Sequence, residues 1–280
     1  MMKVKCIAMD LDHTTLYDSN TLSPGNRRAL EDAIAEGVHV IIASGRSLEA
    51  LPVCVTGIPG IEYAITSNGA AVYRLSDGKC LRRLYTDPAF VEELIDLMLR
   101  CGFGTEPIGC EMFMGGQPYC QKAFYEDPHK YGESQFGVDY IKGTRIPVED
   151  TIGFLREHRE ELDGIDLLVP TAEWKQRLTE ELTQIRTPYF LTASVPQRLE
   201  FGNIESGKAS GLRYLLDLLG IRAEETATFG DADNDCDMLE MAGYGIAVAN
   251  ATPACLAAAD HVTKDCLEDG VAWAIRHILA

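Results

Sequence analysis

The sequence has no Cys-x-x-Cys pair among its nine cysteines. The absence of that spacing argues against a zinc knuckle and against a thioredoxin-like redox pair. Unpaired cysteines in this number are typical of a reducing compartment, so we expect a cytoplasmic protein. No secretory signal peptide is recognisable, and no segment is apolar and long enough to span a membrane, so no membrane partner is expected.

Basic residues are also few. Lys and Arg number 25 against 43 Asp and Glu, which gives a formal net charge of −18 at pH 7. Nucleic acids and anionic membranes are bound by basic surfaces, so neither is expected as a partner. No Gly-x-Gly-x-x-Gly follows the first predicted strand, which disfavours a dinucleotide-binding enzyme. The 280 residues, of which 46% are hydrophobic, are enough for one large or two modest domains.

Short apolar runs alternate with helical patterns toward both ends of the chain. The runs that predict strands are 4–9, 38–43, 64–66, 226–229 and 244–248. Strands that alternate with helices are typical of a parallel sheet with right-handed crossovers. The expected fold class is therefore α/β, with a Rossmann-like core.

The middle of the chain has a different character. It contains amphipathic helical patterns, one of them predicted over 148–162, and a stretch rich in Gly, Pro and aromatic residues. We predict that residues 86–192 form an α+β domain inserted into a core that consists of 1–85 and 193–280.

Polar side chains stand where the predicted strands of the core end. They are Asp10 and Asp12 after the first strand, Ser44 after the second, Asp231 after a later one, and Lys208 at the start of a helix. Because the C-terminal ends of parallel strands share one edge of a sheet, these groups should converge there. Two carboxylates with one residue between them point to the same side of an extended chain and need a cation or a proton. The set suits a phosphate held beside Mg²⁺.

The segment Asp10-Leu11-Asp12-x-Thr14 resembles the first motif of the haloacid dehalogenase superfamily of phosphatases and phosphotransferases. Ser44-Gly45-Arg46, Lys208 and residues 230–235 resemble its second, third and fourth motifs, in the same order. The insertion between the second and third motifs is similar to that of the Cof-type branch, as are the segments 67–70 and 248–251. The resemblance implies an inserted cap domain that closes over the core and selects the substrate.

The resemblance also implies a role for each matching residue. Asp10 is expected to be the nucleophile that forms an aspartyl-phosphate. Asp12 is expected to protonate the leaving oxygen and then to activate water. Lys208 is expected to neutralise the phosphate and the nucleophile. The other expected phosphate-binding residues are Ser44, Gly45, Arg46 and Asn234.

Mg²⁺ is the expected cofactor, because the donors in these motifs are oxygens and no His or Cys pattern accompanies them. The expected ligands are the carboxylates of Asp10 and Asp231 and the backbone carbonyl of Asp12. Asp235 is expected to bind through water.

Two segments imitate other sites. Residues 202–209 fall one residue short of a nucleotide-binding P-loop and carry Ala209 where that loop needs Ser or Thr. Residues 231–235 begin like a calcium-binding loop, but Cys236 stands in the place of its glycine. We therefore expect neither a P-loop nor a calcium loop.

His13 departs from the family motif, which has glycine at this position. Glycine suits a tight turn with positive φ, and His is among the residues that tolerate that conformation. Two interpretations stay open: a tolerated variation with normal catalysis, which we favour, and an altered or slowed site.

The sequence therefore predicts a Mg²⁺-dependent phosphatase for a small phosphorylated metabolite, such as a sugar phosphate, that acts as a monomer or homodimer. A phosphomutase or phosphotransferase on the same core is one alternative. A catalytically weak metabolite-binding protein, suggested by His13, is the other.

Overall fold

The computed structural model describes residues 4–18 and 20–279. The strands in these ranges are β1 (Cys6–Met9), β2 (His39–Ala43), β3 (Ile61–Thr66), β4 (Ala71–Arg74), β5 (Lys79–Arg83), β6 (Gly109–Met114), β7 (Gln117–Gln121), β8 (Ile146–Val148), β9 (Leu162–Leu168), β10 (Phe190–Thr192), β11 (Arg198–Gly202), β12 (Thr226–Gly230), β13 (Tyr244–Ala247) and β14 (His261–Val262). The α-helices are α1 (Pro24–Ala35), α2 (Val53–Thr56), α3 (Pro88–Arg100), α4 (Lys122–Glu126), α5 (Gln135–Thr144), α6 (Thr151–Glu157), α7 (Ala172–Leu182), α8 (Lys208–Leu219), α9 (Cys236–Met241), α10 (Pro253–Ala258) and α11 (Gly270–His277). None of these helices has the length and apolarity that crossing a membrane requires.

The chain divides into two compact units, one made of Met1–Arg82 and Gly207–Ala280, the other of Arg83–Ser206. The second unit extends beyond 192, where the sequence analysis ended the insertion. The reason is β11, which was assigned to the core but pairs antiparallel with β9. The helix predicted over 148–162 is also too long, because α6 ends at Glu157 and Leu162 opens β9.

The first unit is built on an eight-stranded sheet with the order β14-β13-β12-β1-β2-β3-β4-β5. The strands from β14 to β3 are parallel, and β4 pairs antiparallel with β3. This topology confirms the predicted α/β class with a Rossmann-like sheet. The chain runs outward from β1 through β2 and β3 and returns at β12, so the strand order reverses between β1 and β12. Open α/β sheets bind ligands at such a reversal, beyond the C-terminal ends of the strands.

Strand β1 is buried on both faces, which explains its uninterrupted apolar sequence. Cys6 and Ala8 belong to the apolar cluster that contains Leu212 of α8. Ile7 and Met9 belong to the cluster on the opposite face, which includes residues of α1 and α11. Full burial of each large side chain contributes about 1.5–3 kcal/mol, so this alternation fixes the register of the strand and the position of the residues that follow it.

The second unit has a six-stranded sheet with the order β10-β11-β9-β6-β7-β8. Its pairings are antiparallel except for β7 with β8. Residues of α3, α6 and α7 join one large apolar cluster with this sheet. A smaller cluster brings together Cys120, Phe124, Tyr131, Ile141 and Leu168.

Candidate active site

Asp10 lies directly after β1, at the point where the strand order of the first sheet reverses. Its backbone N–H donates to the carbonyl of Phe229 on β12 at 3.0 Å, which extends the sheet by one residue. Its own carbonyl accepts a hydrogen bond from the Thr15 hydroxyl at 2.6 Å. The apolar strand thus carries a buried carboxylate to the ligand-binding edge of the sheet.

Lys208 is the first residue of α8, and its side chain is fully buried. Its Nζ donates to Oδ1 of Asp10 and to Oδ1 of Asp235, both at 2.6 Å. Burial lowers the pKa of a lysine, but these two carboxylates outweigh it and hold the pKa of Lys208 above its usual range. The side chain is therefore a fixed cation between two acids.

The loop after β12 supplies two further carboxylates. Oδ2 of Asp235 accepts the backbone N–H groups of Asp231 at 3.0 Å and Ala232 at 3.1 Å. Residue 230 is a glycine next to Asp235, and no larger residue fits there, because a Cβ at position 230 would lie 2.4 Å from the Cβ of Asp235. Asp231 accepts a hydrogen bond from the Thr14 hydroxyl at 2.9 Å, which ties this loop to the one that follows β1.

Three carboxylates meet at this edge. Asp10, Asp231 and Asp235 each offer an oxygen, and these oxygens lie within 4.8 Å of one another. Burial raises the pKa of Asp10 to about 7, against the lowering effect of Lys208. Burial and the adjacent Asp10 raise the pKa of Asp231 to about 9. One lysine does not balance three acids, and a divalent cation that prefers carboxylate oxygens fits this donor set.

Asp12 lies two residues after Asp10, and its carboxylate is held by Arg46. The guanidinium donates from Nε to Oδ2 at 2.8 Å and from Nη2 to Oδ1 at 2.5 Å, a bidentate pair. Nη1 donates to the carbonyl of Ala50 at 3.0 Å. The guanidinium of Arg46 thus contacts Asp12, and the phosphate-binding role expected from the sequence stays a prediction.

The remaining predicted residues lie in neighbouring loops of the same unit. Ser44 follows β2, and its Oγ accepts the N–H of Arg46 at 3.2 Å. Asn234 is buried in the loop after β12, and its Nδ2 donates to Oδ1 of Asn68 at 3.0 Å. Gly45 stands against the Asn68 side chain, since a Cβ on it would lie 3.2 Å from that same Oδ1.

His13 has a φ of +57°, the left-handed conformation for which glycine is usual, and its side chain is exposed. Its carbonyl accepts a hydrogen bond from Nδ2 of Asn250 at 2.8 Å, while Oδ1 of Asn250 accepts the N–H of Cys266 at 2.9 Å. The Asn250 contact therefore holds the turn by its backbone, while the imidazole is exposed.

Three residues with evident positions in the site had no role in the sequence analysis. They are Thr14, Asn68 and Asn250. Each lies in a segment that resembles the superfamily, so the resemblance marked the segments. Their partners are 217, 166 and 237 residues away along the chain, and such pairings are invisible without the fold.

The first unit thus has a Rossmann-like sheet with an acid cluster at its ligand-binding edge. The chain belongs to the haloacid dehalogenase-like hydrolase family, whose profile matches residues 7–275. This confirms the family predicted from the motifs.

Individual relatives agree with this assignment. The chain is 29% identical to the putative phosphatase YxeH of Bacillus subtilis, over 98% of both chains. It is 28% identical to the 5-amino-6-(5-phospho-D-ribitylamino)uracil phosphatase YcsE of the same organism, over 98% of this chain and 95% of that protein. A haloacid dehalogenase-like hydrolase of B. subtilis of known structure superposes with a TM-score of 0.82 at 25% identity, over 98% of this chain and 100% of that chain. The subclass IIB sugar phosphatase BT4131 shares the fold, with a TM-score of 0.80 at 21% identity, over 98% of both chains.

Proposed function

We propose that this family member is a Mg²⁺-dependent phosphatase that hydrolyses a small phosphorylated metabolite through an aspartyl-phosphate on Asp10. One observation carries the proposal. A buried carboxylate at the strand reversal is bound to a buried lysine and faces two further carboxylates within 4.8 Å. Phosphoryl transfer depends mainly on positioning and on the stabilisation of charge, and these groups supply both.

Asp10 is suited to attack phosphorus. Its Oδ1 takes the hydrogen bond from Lys208, so we assign the attack to Oδ2. Lys208 holds the carboxylate in one orientation and offsets part of the negative charge that accumulates as phosphate approaches. The phosphoryl group moves from the substrate oxygen to Oδ2 and then to water, which releases inorganic phosphate and restores the carboxylate.

Asp12 is suited to proton transfer. Arg46 holds its carboxylate in place, and the second step requires the ionised form, in which Asp12 takes a proton from water. The first step requires the protonated form, which donates to the leaving oxygen. We therefore expect the Asp12–Arg46 pair to loosen when a substrate binds.

The metal would be held by the carboxylates of Asp10 and Asp231 and by the backbone carbonyl of Asp12. Both oxygens of Asp235 already accept hydrogen bonds, from Lys208 and from two backbone N–H groups, so we assign it an indirect role through water. Bound Mg²⁺ would neutralise charge on the phosphate and on the carboxylates around it.

The substrate class rests on the relatives. YcsE is named for a phosphorylated ribitylaminouracil and BT4131 for sugar phosphates, so a phosphorylated sugar or a related monoester is the substrate we propose.

The left-handed backbone of His13 supports normal turnover over a weakened site, because the turn is retained. We propose a cytoplasmic location from the nine free cysteines. The substrate-selecting role expected of the inserted domain stays a prediction.

A panel of phosphate esters tests the proposal. We expect phosphate release that needs Mg²⁺, stops on chelation, and falls at least about 1,000-fold in Asp10→Asn. Asp233→Asn is the matched control, because Asp233 lies in the same acidic loop but is exposed and bonded to Thr252. Transfer to a sugar in preference to water would indicate a phosphotransferase. Ligand binding without turnover would indicate a binding protein, and an active Asp10→Asn would refute the mechanism.

A further inference from the structure

We propose that Asn68 is a positioning residue of this site, which sets the Asn234 amide and the turn after β2 in the geometry that phosphate binding needs. The inference rests on the proposed phosphatase function and adds a residue to it. Asn68 follows β3 and is half-buried, next to the loops that carry Ser44 and Lys208.

The backbone around Asn68 is strained. Ser67, Asn68 and Gly69 have consecutive φ angles of +48°, +50° and +87°. Left-handed backbone is unfavourable for residues other than glycine and persists only where the surroundings hold it. Gly69 must be glycine, because a Cβ there would lie 1.9 Å from the carbonyl oxygen of Gly207.

Backbone contacts tie Asn68 to two segments of the site. Its N–H donates to the carbonyl of Ser44 at 3.2 Å, and its carbonyl accepts the N–H of Gly207 at 2.8 Å. Gly207 immediately precedes Lys208. The backbone of Asn68 therefore joins the end of β2 to the start of α8, the two places that carry the expected hydroxyl and the fixed cation.

The side chain reaches a third segment. Oδ1 of Asn68 accepts from Nδ2 of Asn234 at 3.0 Å and packs against Gly45. This contact fixes which end of the buried Asn234 amide is the donor. An amide nitrogen has two N–H groups, so one of them remains for a phosphate oxygen.

Position 68 requires a residue that tolerates a left-handed backbone and also offers a hydrogen-bond acceptor to Asn234, and asparagine meets both requirements. Glycine would adopt the left-handed backbone without strain but would offer no acceptor to Asn234. Alanine would have the strain without the acceptor. Asparagine is the uncharged residue that combines tolerance of this conformation with a side-chain carbonyl, and it adds no charge beside the acid cluster.

Asn68→Gly separates function from folding, because it relieves the backbone and removes only the side chain. We expect an unchanged or higher thermal midpoint and about a tenfold lower kcat/KM with Mg²⁺ and p-nitrophenyl phosphate. Asn234→Ala should lose a similar factor, and the double variant should fall within about twofold of Asn234→Ala alone, since the two residues act as one unit. Asn68→Asp, which keeps an acceptor, should recover part of the rate. Asn20→Gly, at an exposed asparagine of the same unit, is the control.

The proposal fails if Asn68→Gly keeps more than half of the wild-type rate, or if its loss adds in full to that of Asn234→Ala. If the wild-type protein releases no phosphate from any ester, the proposed function fails instead. Calorimetric titration of inorganic phosphate with Mg²⁺ then decides the role of Asn68. About tenfold weaker binding in Asn68→Gly supports the role, whereas equal binding, or no binding to the wild-type protein, overturns it.

Discussion

Each of the two units buries a carboxylate beside basic side chains, but the balance of charge differs between them. In the second unit, Glu111 accepts from Nε of Arg145 and from Nη1 of Arg198, both at 2.6 Å. Burial raises the pKa of a carboxyl group, yet the two guanidinium groups outweigh it and hold the pKa of Glu111 below its usual range. In the first unit, Asp10 shares a single lysine with other acids, and its pKa is raised.

The difference separates a structural cluster from a site that can accept a ligand. Glu111 contacts two guanidinium groups, and these keep it ionised although Arg198 also binds Asp166 and Glu133. Asp166, which lies opposite Glu111 on β9, has its pKa raised well above the usual range by burial and by Glu200, although it accepts a hydrogen bond from Arg198 at 3.0 Å. The cluster in the second unit thus has two arginines that contact its buried acids. The acid cluster of the first unit has one lysine for three acids, an imbalance that the proposed Mg²⁺ would remove.

The largest effect should come from removal of Lys208, the cation that contacts the acid cluster of the first unit. Lys208→Met leaves Asp10 and Asp235 without a positive partner, so Asp10 loses both its orientation and the charge that offsets phosphate. We expect kcat/KM with Mg²⁺ to fall at least about 1,000-fold, or ~4 kcal/mol in the barrier.

The matched control is Lys264→Met, since Lys264 is exposed in the same unit. Steady-state rates of phosphate release measure both variants, with circular dichroism to show that each is folded. A Lys208→Met enzyme with more than a tenth of the wild-type activity would show that the lysine only fills space.

In the second unit, the corresponding change should alter stability. Glu111→Gln leaves the buried Arg145 guanidinium facing a neutral amide, and removal of one partner of a buried ion pair costs roughly 3–5 kcal/mol. Urea unfolding followed by circular dichroism measures the loss, with the exposed Glu126→Gln as control. A change below 1 kcal/mol would mean that the cluster contributes little to folding, and the contrast between the two units would have to be abandoned.

The sequence was informative about the first unit because its local patterns agree with its tertiary structure. Strand β1 is apolar throughout since both of its faces are buried, and Asp10 follows at once because the sheet ends there. The acids of the fourth motif follow β12 for the same reason. Order along the chain was enough to predict that they share an edge.

The sequence was less informative where the outcome depends on which elements pair. Strand β11 was assigned to the core by its position in the chain, and only its pairing with β9 shows that it belongs to the second sheet. Arg46 follows a serine in a phosphate-binding motif, but its partner is the carboxylate of Asp12, 34 residues away. The hydrogen bond between the amides of Asn68 and Asn234 depends on the left-handed backbone of Asn68, which was not predicted from the sequence.

Asp163 is the mildest case in the comparison, because it has one cation and no competing acid among the groups that shift its pKa. It is fully buried, with Oδ1 at 3.2 Å from Nε of Arg83 and Oδ2 accepting the N–H of Gly116 at 3.3 Å. Burial raises its pKa to about 6 in spite of Arg83. The folded protein therefore keeps a proton between about pH 4 and pH 6 that the unfolded chain has released. The contribution to stability is complete below pH ~4 and is lost as the pH rises through ~6, by at most about 3 kcal/mol.

The measurement is the difference in unfolding free energy between the wild-type protein and Asp163→Asn, taken by urea titration from pH 3.5 to pH 7.5. Because asparagine does not titrate, the wild-type protein should lose stability relative to the variant across this range, with most of the change complete by about pH 7. Asp139→Asn, at an exposed position of the same unit, should give a flat difference. A flat curve for Asp163→Asn would mean that one guanidinium keeps a fully buried carboxylate ionised. The excess of acid around Asp10, rather than the lack of a second cation, would then be what distinguishes the two units.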